Sequence, residues 1–365
     1  MTVVDQTPVE PSSPMVNREL VFTGRRMPRR AAPIAIIGGL ILAGLLVAVG
    51  VGPVGAVVLA VIAVDTALPV WTWIVVNRRA ATDRLITCLV WTALLTAMSP
   101  LVWLLITTVA SGLPVINGHF LSQDMQTTLN PVTFKIEVGG GVLHALVGTL
   151  LVTLGAIIIS VPVGLMCAIY LVEYGRGRRL ASIVTILVDV MTGIPSIVAG
   201  LFALALFAQF VGIGTRMGVM GSIALSLLMI PTVVRSTEEM IRLVPDDLRE
   251  AAYALGVPRW RTIVKVVIPT SIGGIVTGVM LAISRVIGET APLLVAIGSI
   301  DVLQTNMFSG RIETLPVFIM TQYQTSTPQG YAYAWGGALL LILIVMVLNV
   351  LARVTGTIFT PKSSR

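Results

Sequence analysis

Arg285 and Glu289 stand four residues apart inside an otherwise apolar run, Ser271–Ile297. A guanidinium offers several N–H donors in a fixed fork, a shape suited to an oxyanion such as phosphate. A carboxylate one helical turn away would moderate that charge, so that an anion is held weakly enough to leave again. The competing reading is a structural ion pair that fixes the packing of two helices. Asp189 is a third candidate. It lies in another apolar run just before Gly193 and Pro195, a pair expected to bend or break a helix. It either lines the same path or joins two helices. Asp65 also lies in an apolar run and carries no assignment.

The cost of the Arg285/Glu289 pair says what kind of element holds it. Each charge at the centre of a membrane helix costs about 2.5–3.5 kcal/mol on the insertion scale. The twelve Ile, Leu and Val residues of Ser271–Ile297 return about 4–7 kcal/mol. The balance is near zero, so this segment should face protein or a water-filled path and not lipid. Gly274, Gly278, Ala282, Arg285 and Glu289 fall in one stripe of a 3.6-residue period. The small residues in that stripe admit a close helix neighbour.

The whole chain asks for a lipid solvent. Hydrophobic residues make up 56% of its 365 positions and charged residues only 11%, against roughly 25% charged in an average soluble domain. The mean hydropathy is +0.95. A net charge of +7 would suggest nucleic acid if it formed one patch, but the basic residues lie in short segments between apolar runs, so no nucleic-acid partner is expected. Eight runs reach spanning length: Pro33–Gly52, Val54–Val76, Leu85–Ala110, Val142–Leu171, Ser182–Val211, Gly218–Val234, Ser271–Ile297 and Trp335–Val354. The first two form a hairpin at Gly52-Pro53 that is one broken unit or two spans, giving six to eight spans in all. The expected fold class is an all-α, polytopic transmembrane helical bundle.

With the N-terminus inside, 20 of the 24 Lys and Arg residues fall on the inner side. Lys135, Arg216 and Arg311 fall outside, and Arg285 lies within a span. The positive-inside rule then puts both termini in the cytoplasm. Residues 1–30 read as a disordered cytoplasmic tail rather than a signal peptide, since Met1–Pro14 is rich in Pro, Ser and Thr and lacks an apolar core. Residues 31–77 form the hairpin, and 78–360 the main transmembrane domain. The outer segments Ser111–Gly141 and Gly298–Ala334 are long and polar. Cys88 and Cys167 sit in apolar runs as small core residues. His119 and His144 lack companions at ligand spacing, so neither a metal nor another cofactor is expected.

One inner segment, 235–270, is long enough to do work of its own. From Pro245 to Pro258 it reads as a short surface helix. Pro245 is placed at its start, Asp246 and Asp247 complement the helix dipole, Gly256 stops it and Pro258 prevents its continuation. Leu248, Ala251, Ala252 and Leu255 make a narrow apolar face. That face is too small to grip lipid well and suits a shallow protein groove.

Glu250-Ala251-Ala252, then Gly256, then Val266-Val267-Ile268-Pro269 resembles the EAA loop of ABC-importer permeases. Val266 and Ile268 are apolar replacements in the final Ile-x-Leu-Pro of that pattern. The resemblance implies the type I importer permease fold and a coupling role for Glu250, Ala251, Ala252 and Gly256 on a separate ATPase. The chain has three lysines, Lys135, Lys265 and Lys362, none following a glycine. It therefore contains no G-x-x-x-x-G-K-[ST] loop for nucleotide, and no enzyme activity of its own is expected. Arg285-Val-Ile-Gly288-Glu289-Thr290-Ala291-Pro292, Gly193-Ile-Pro195 through Gly200, and Thr314-Leu-Pro316 resemble the phosphate-specific branch of these permeases, the PstA type, over about Leu85–Thr360. That branch implies a phosphate path at Arg285 and Glu289 in a bacterial cell membrane. It implies three kinds of partner: a second, PstC-like permease, PstB-like ATPase subunits and an extracellular PstS-like phosphate-binding protein. Members of the family usually have six spans, so the leading hairpin is a departure. Import of sulfate, molybdate or a phosphonate is the alternative within the class. An ion-gradient transporter or a non-transporting scaffold stands outside it, and the inverted internal repeats a secondary transporter would carry are not evident.

Overall fold

The computed structural model describes residues 28, 30–126, 128–129, 136–137 and 139–359. The tail expected over 1–30 lies outside the described residues except for Pro28 and Arg30, as do Lys135, Lys362 and Arg365. Two compact units divide at Leu104/Leu105.

The first unit contains α1 (Ala31–Ala48), α2 (Pro53–Val75) and most of α3 (Arg78–Gly112). Gly50, with φ +97°, makes the turn between α1 and α2, and Pro53 opens α2, where its missing N–H costs nothing. Helices α1 and α2 touch at small residues: a side chain at Gly39 would run into Val64, and Ala56 and Ala60 are buried. Asp65 is not idle. It accepts a 2.8 Å hydrogen bond from Thr92 Oγ1 of α3.

The second unit runs α4 (Gly118–Ser122), a two-residue antiparallel pair β1 (Thr128–Leu129) and β2 (Ile136–Glu137), α5 (Leu143–Ile169), α6 (Arg179–Thr192), α7 (Ser196–Val211), α8 (Gly218–Arg242), α9 (Asp246–Ala254), α10 (Arg259–Thr262), α11 (Ile268–Val286), α12 (Ala291–Ala296), α13 (Leu315–Gln324) and α14 (Pro328–Phe359). Helix α8 is the axis. It packs on α5, α7, α11 and α12 around a core that includes Val152, Met220, Leu225, Met229, Ile283 and Leu293. Among the described residues, seven helices are long and apolar enough to cross a membrane, eight if the bent pair α6/α7 is one span. This is the expected all-α, polytopic bundle.

Helices α3 and α14 each begin seven residues before the expected Leu85 and Trp335, and three further spans differ from their expected limits for physical reasons. The run Ser182–Val211 is broken at Gly193–Pro195, and α6 and α7 meet at 108°, as that Gly/Pro pair predicted. Helix α8 does not stop at Val234 but continues to Arg242. Its added turns carry charges that satisfy one another, with Arg235 and Arg242 bonded to Glu238 at 2.7 and 2.5 Å. The run Ser271–Ile297 is not one helix either. The span starts at Arg259, passes through a π turn at Ile263–Val267, and ends at Val286. Pro269 lacks an N–H for the Lys265 carbonyl, and the widened turn just before it accommodates that gap. Gly288 and Pro292 then end the helix before α12.

The polar segment Gly298–Ala334 also hides a helix, α13, whose Leu315, Val317 and Phe318 are buried. A second π turn, Tyr170–Tyr174, closes α5 with Gly175 N–H bonded to the Tyr170 carbonyl.

Candidate functional site

The small-residue stripe on α11 performs as its spacing implied. A side chain at Gly274 would strike Met240 and one at Gly278 would strike Ser236, so α11 lies directly on α8. Glu289 is the exception. It lies beyond the end of α11, in the turn closed by Glu289 N–H on the Val286 carbonyl at 3.1 Å, and so leaves the stripe.

Arg285 and Glu289 nonetheless meet one cavity of about 200 Å3. Its other walls are Met191, Thr192 and Ile194 at the break after α6, Ser196 at the start of α7, and Leu228, Pro231 and Thr232 of α8. Three irregularities converge there: the Gly193–Pro195 break, Pro231 within α8 and the turn after α11. Breaks of this kind free backbone groups for a polar path, and the start of α7 adds a positive helix end. No ion pair joins Arg285 to Glu289 or to any other carboxylate among the described residues. Arg285 is exposed in this chain and Glu289 half-buried. Donor capacity is therefore free at the cavity wall, which is what an incoming oxyanion requires.

Asp189 is not among the lining residues of that cavity. Its carboxylate bonds the Arg235 guanidinium of α8, which also holds Glu238. It therefore joins α6 to α8, one of the two roles its sequence position allowed. Arg235 and Glu238 were not recognised as members of that site, because a loop was expected where α8 continues.

The segment Pro245–Pro258 keeps its expected punctuation. Gly256 adopts φ +74°, with Gly256 N–H on the Tyr253 carbonyl and Val257 N–H on that of Ala252, the paired bonds of a Schellman stop. Pro245 is the cap and not the first helical residue. The face Leu248, Ala251, Ala252, Leu255 is split. Ala252 is buried against the bundle, whereas Leu248, Glu250, Ala251, Leu255 and Gly256 are exposed.

What fastens α9 is Arg249, 6% exposed. Its Nε donates to Glu173 Oε1 at 3.1 Å and its two terminal nitrogens reach Asp246 and the carbonyls of Val244 and Ile241 at 2.6–2.9 Å. A second guanidinium nitrogen lies 3.0 Å from Glu173. Every nitrogen of the guanidinium thereby donates at least one hydrogen bond. Glu173 is 3% exposed and sits in the π turn that ends α5. Arg259, at the far end of the segment, bonds the Glu173 carbonyl and stacks 5.1 Å over Tyr174. Only burial separates Arg249 from the other basic residues of the 235–270 segment, and burial of an arginine is not legible in its spacing. His144 is likewise not alone. Its Nε2 lies 3.0 Å from Glu313 Oε2 in a buried pair beside α13.

A bundle whose spans break around a charged cavity, with a helix latched outside one end, defines a polytopic membrane permease. The family described as "Binding-protein-dependent transport system inner membrane component" matches residues 160–365, and the chain belongs to it. It is thus a multi-span component of the inner membrane and not an enzyme. Among its relatives, "Phosphate transport system permease protein PstA 1" of Mycobacterium tuberculosis strain H37Rv is 43% identical over 286 residues, covering 78% of this chain and 91% of that protein. "Phosphate transport system permease protein PstA" of Mycobacterium leprae is 44% identical over 272 residues, 74% and 88% of the two chains. That of Yersinia pestis is 42% identical over 254 residues, 70% and 83%. A solved structure of the MetNI methionine ABC transporter in an inward-facing conformation is similar at 18% identity and a TM-score of 0.46, covering 60% of this chain and 94% of that one.

Proposed function

We propose that this chain is the permease subunit of an ATP-driven phosphate importer and forms part of the transmembrane path. The observation that carries the reading is Arg285, with unpaired donors at the wall of a polar cavity, in a chain 43% identical over 286 residues to a permease named for phosphate transport. Sulfate, molybdate and phosphonate share the charge and the fork geometry but have no counterpart among those names. The partners are a second, PstC-like permease, PstB-like ATPase subunits and an extracellular PstS-like phosphate-binding protein. Both termini are cytoplasmic in this reading, because 20 of 24 basic residues then lie inside.

Glu250, Ala251, Ala252 and Gly256 form the edge that the ATPase grips. Force applied there passes through Arg249 into the Glu173 turn of α5 and through Arg259 into the span containing α11. Arg285, near the far end of that span, changes the side from which the cavity is open. Labelled phosphate uptake into vesicles holding the assembled importer tests the reading. Uptake is expected only with ATP and a hydrolysis-competent ATPase. Uptake that persists with an inactive ATPase would remove the chain from this class.

Gly256→Arg tests the docking edge. Nothing lies within 4 Å of a side chain begun at Gly256, so the cost inside this chain is only the left-handed backbone, about 1–2 kcal/mol. The variant is expected to insert and fold, with little change in thermal unfolding, while co-purification of the ATPase is lost. Retained co-purification and retained uptake would place the docking surface elsewhere.

A further inference from the structure

A second opening, about 480 Å3, lies at the end of the bundle that carries α9 and is separate from the Arg285 cavity. Arg176, Arg178 and Arg179 line it from the turn between α5 and α6, and Arg242 and Glu238 line it from the last turns of α8. Four guanidiniums from segments some sixty residues apart therefore face one cleft, against a single carboxylate. That carboxylate is already engaged, since Glu238 accepts from both Arg235 and Arg242. Arg176 donates through Nε to the Val172 carbonyl at 3.2 Å, and its terminal nitrogen has a 3.8 Å approach to Asp246, both exposed. Arg178 and Arg179 have no ion pair among the described residues. The turn itself is kept open by Gly177, at φ +76° with nothing within 4 Å of its missing side chain. The first turn of α6 has no side-chain cap, which adds a positive helix end to the cations.

A scattered inner charge would satisfy the positive-inside rule without forming a cleft, and here Arg178 and Arg179 enter one without a carboxylate of their own. The chemistry that suits such a cleft is that of a phosphate group. The neighbouring surface decides where that phosphate comes from. Leu180, Ile183, Ile186, Leu187 and Val190 are all exposed along α6, and this stripe starts at the rim of the cleft. A headgroup seated among the arginines would lay its acyl chains along that stripe, whereas a free anion leaves it unused. We propose that the cleft binds the headgroup of an anionic phospholipid of the inner leaflet and so anchors α6, the half-span that ends at the Gly193–Pro195 break. The inference rests on the chain spanning a membrane with this end on the cytoplasmic side, the orientation proposed above from its basic residues. It does not rest on phosphate as the transported substrate.

Native mass spectrometry of the full-length chain tests it, with phosphatidylglycerol and phosphatidylcholine supplied in equal amounts. Phosphatidylglycerol should be retained preferentially. The preference should fall by about fivefold for each arginine removed, the attraction of one cation near an anionic surface. Arg178→Ala with Arg179→Ala should therefore lose it. Arg178→Lys with Arg179→Lys should keep most of it, and so should Arg79→Ala with Arg84→Ala, which removes equal charge from α3. Both cleft residues are exposed, and unchanged thermal unfolding would confirm that the cleft variants fold. Equal retention of the two lipids would overturn the proposal, and so would a preference that survives Arg178→Ala with Arg179→Ala. Displacement of the bound lipid by excess inorganic phosphate would also overturn it, by making the cleft a free-anion site.

Discussion

Arg249→Ala is expected to destabilise the chain by about 3–5 kcal/mol, because it strands the Glu173 carboxylate in a buried turn without its cation. It also leaves the carbonyls of Ile241 and Val244, at the end of α8, without the donors that satisfy them. The measurement is thermal unfolding of the purified permease together with recovery of the ATPase in complex. Both should fall sharply. The companion Glu173→Gln with Arg249→Met should regain a large share of the stability, since replacing both partners of a buried pair removes the uncompensated charge. It should not regain transport, because α9 would then be tied to the bundle by packing and the exposed Arg176–Asp246 approach, without a buried fastening. An Arg249→Ala permease as stable as the parent would show that the pair is not the fastening described.

Arg285→Ala should behave in the opposite way. Arg285 is exposed and without an ion pair in this chain, so stability should hardly move. Phosphate uptake should fall about tenfold to hundredfold, the value of one hydrogen bond to a charged group. Arg285→Lys should restore only part of it, since an ammonium keeps the charge but loses the fork. If Arg285 were instead half of a structural pair, the alternative its sequence position left open, the same substitution would lower the unfolding temperature along with transport. Unimpaired uptake would remove Arg285 from the path altogether.

The two residues show what a sequence does and does not disclose about such a site. Arg285 announces itself, because a charge in an apolar run has to be accounted for. Arg249 is one arginine among several in the 235–270 segment, and its burial depends on Glu173, 76 positions earlier, meeting it in space. The spans follow the same division. Their number and their apolar stretches are legible from hydropathy, and the Gly193–Pro195 break from the backbone limits of its residues. The continuation of α8 past Val234 was hidden because Arg235, Glu238 and Arg242 neutralise one another only once they are helical. Glu289 was placed on the stripe because a 3.6-residue period cannot register that Gly288 and Pro292 end the helix first. Helix α13 was hidden by polar surroundings that its buried Leu315, Val317 and Phe318 do not share. The hairpin α1/α2 was legible as an element from its two apolar runs and the Gly52-Pro53 pair between them.

The central claim is that the cavity bearing Arg285 is a watered phosphate path. A single reactive side chain in its wall tests this most directly. In a permease carrying Cys88→Ala and Cys167→Ala, the cavity residue Thr232 is replaced, Thr232→Cys, and the rate of its modification by a membrane-impermeant thiol reagent is followed in the assembled importer. The thiol is predicted to react, to be slowed by phosphate when Arg285 is present, and to lose that protection in Arg285→Ala. A thiol that never reacts, or one that phosphate protects equally with and without Arg285, would contradict the account.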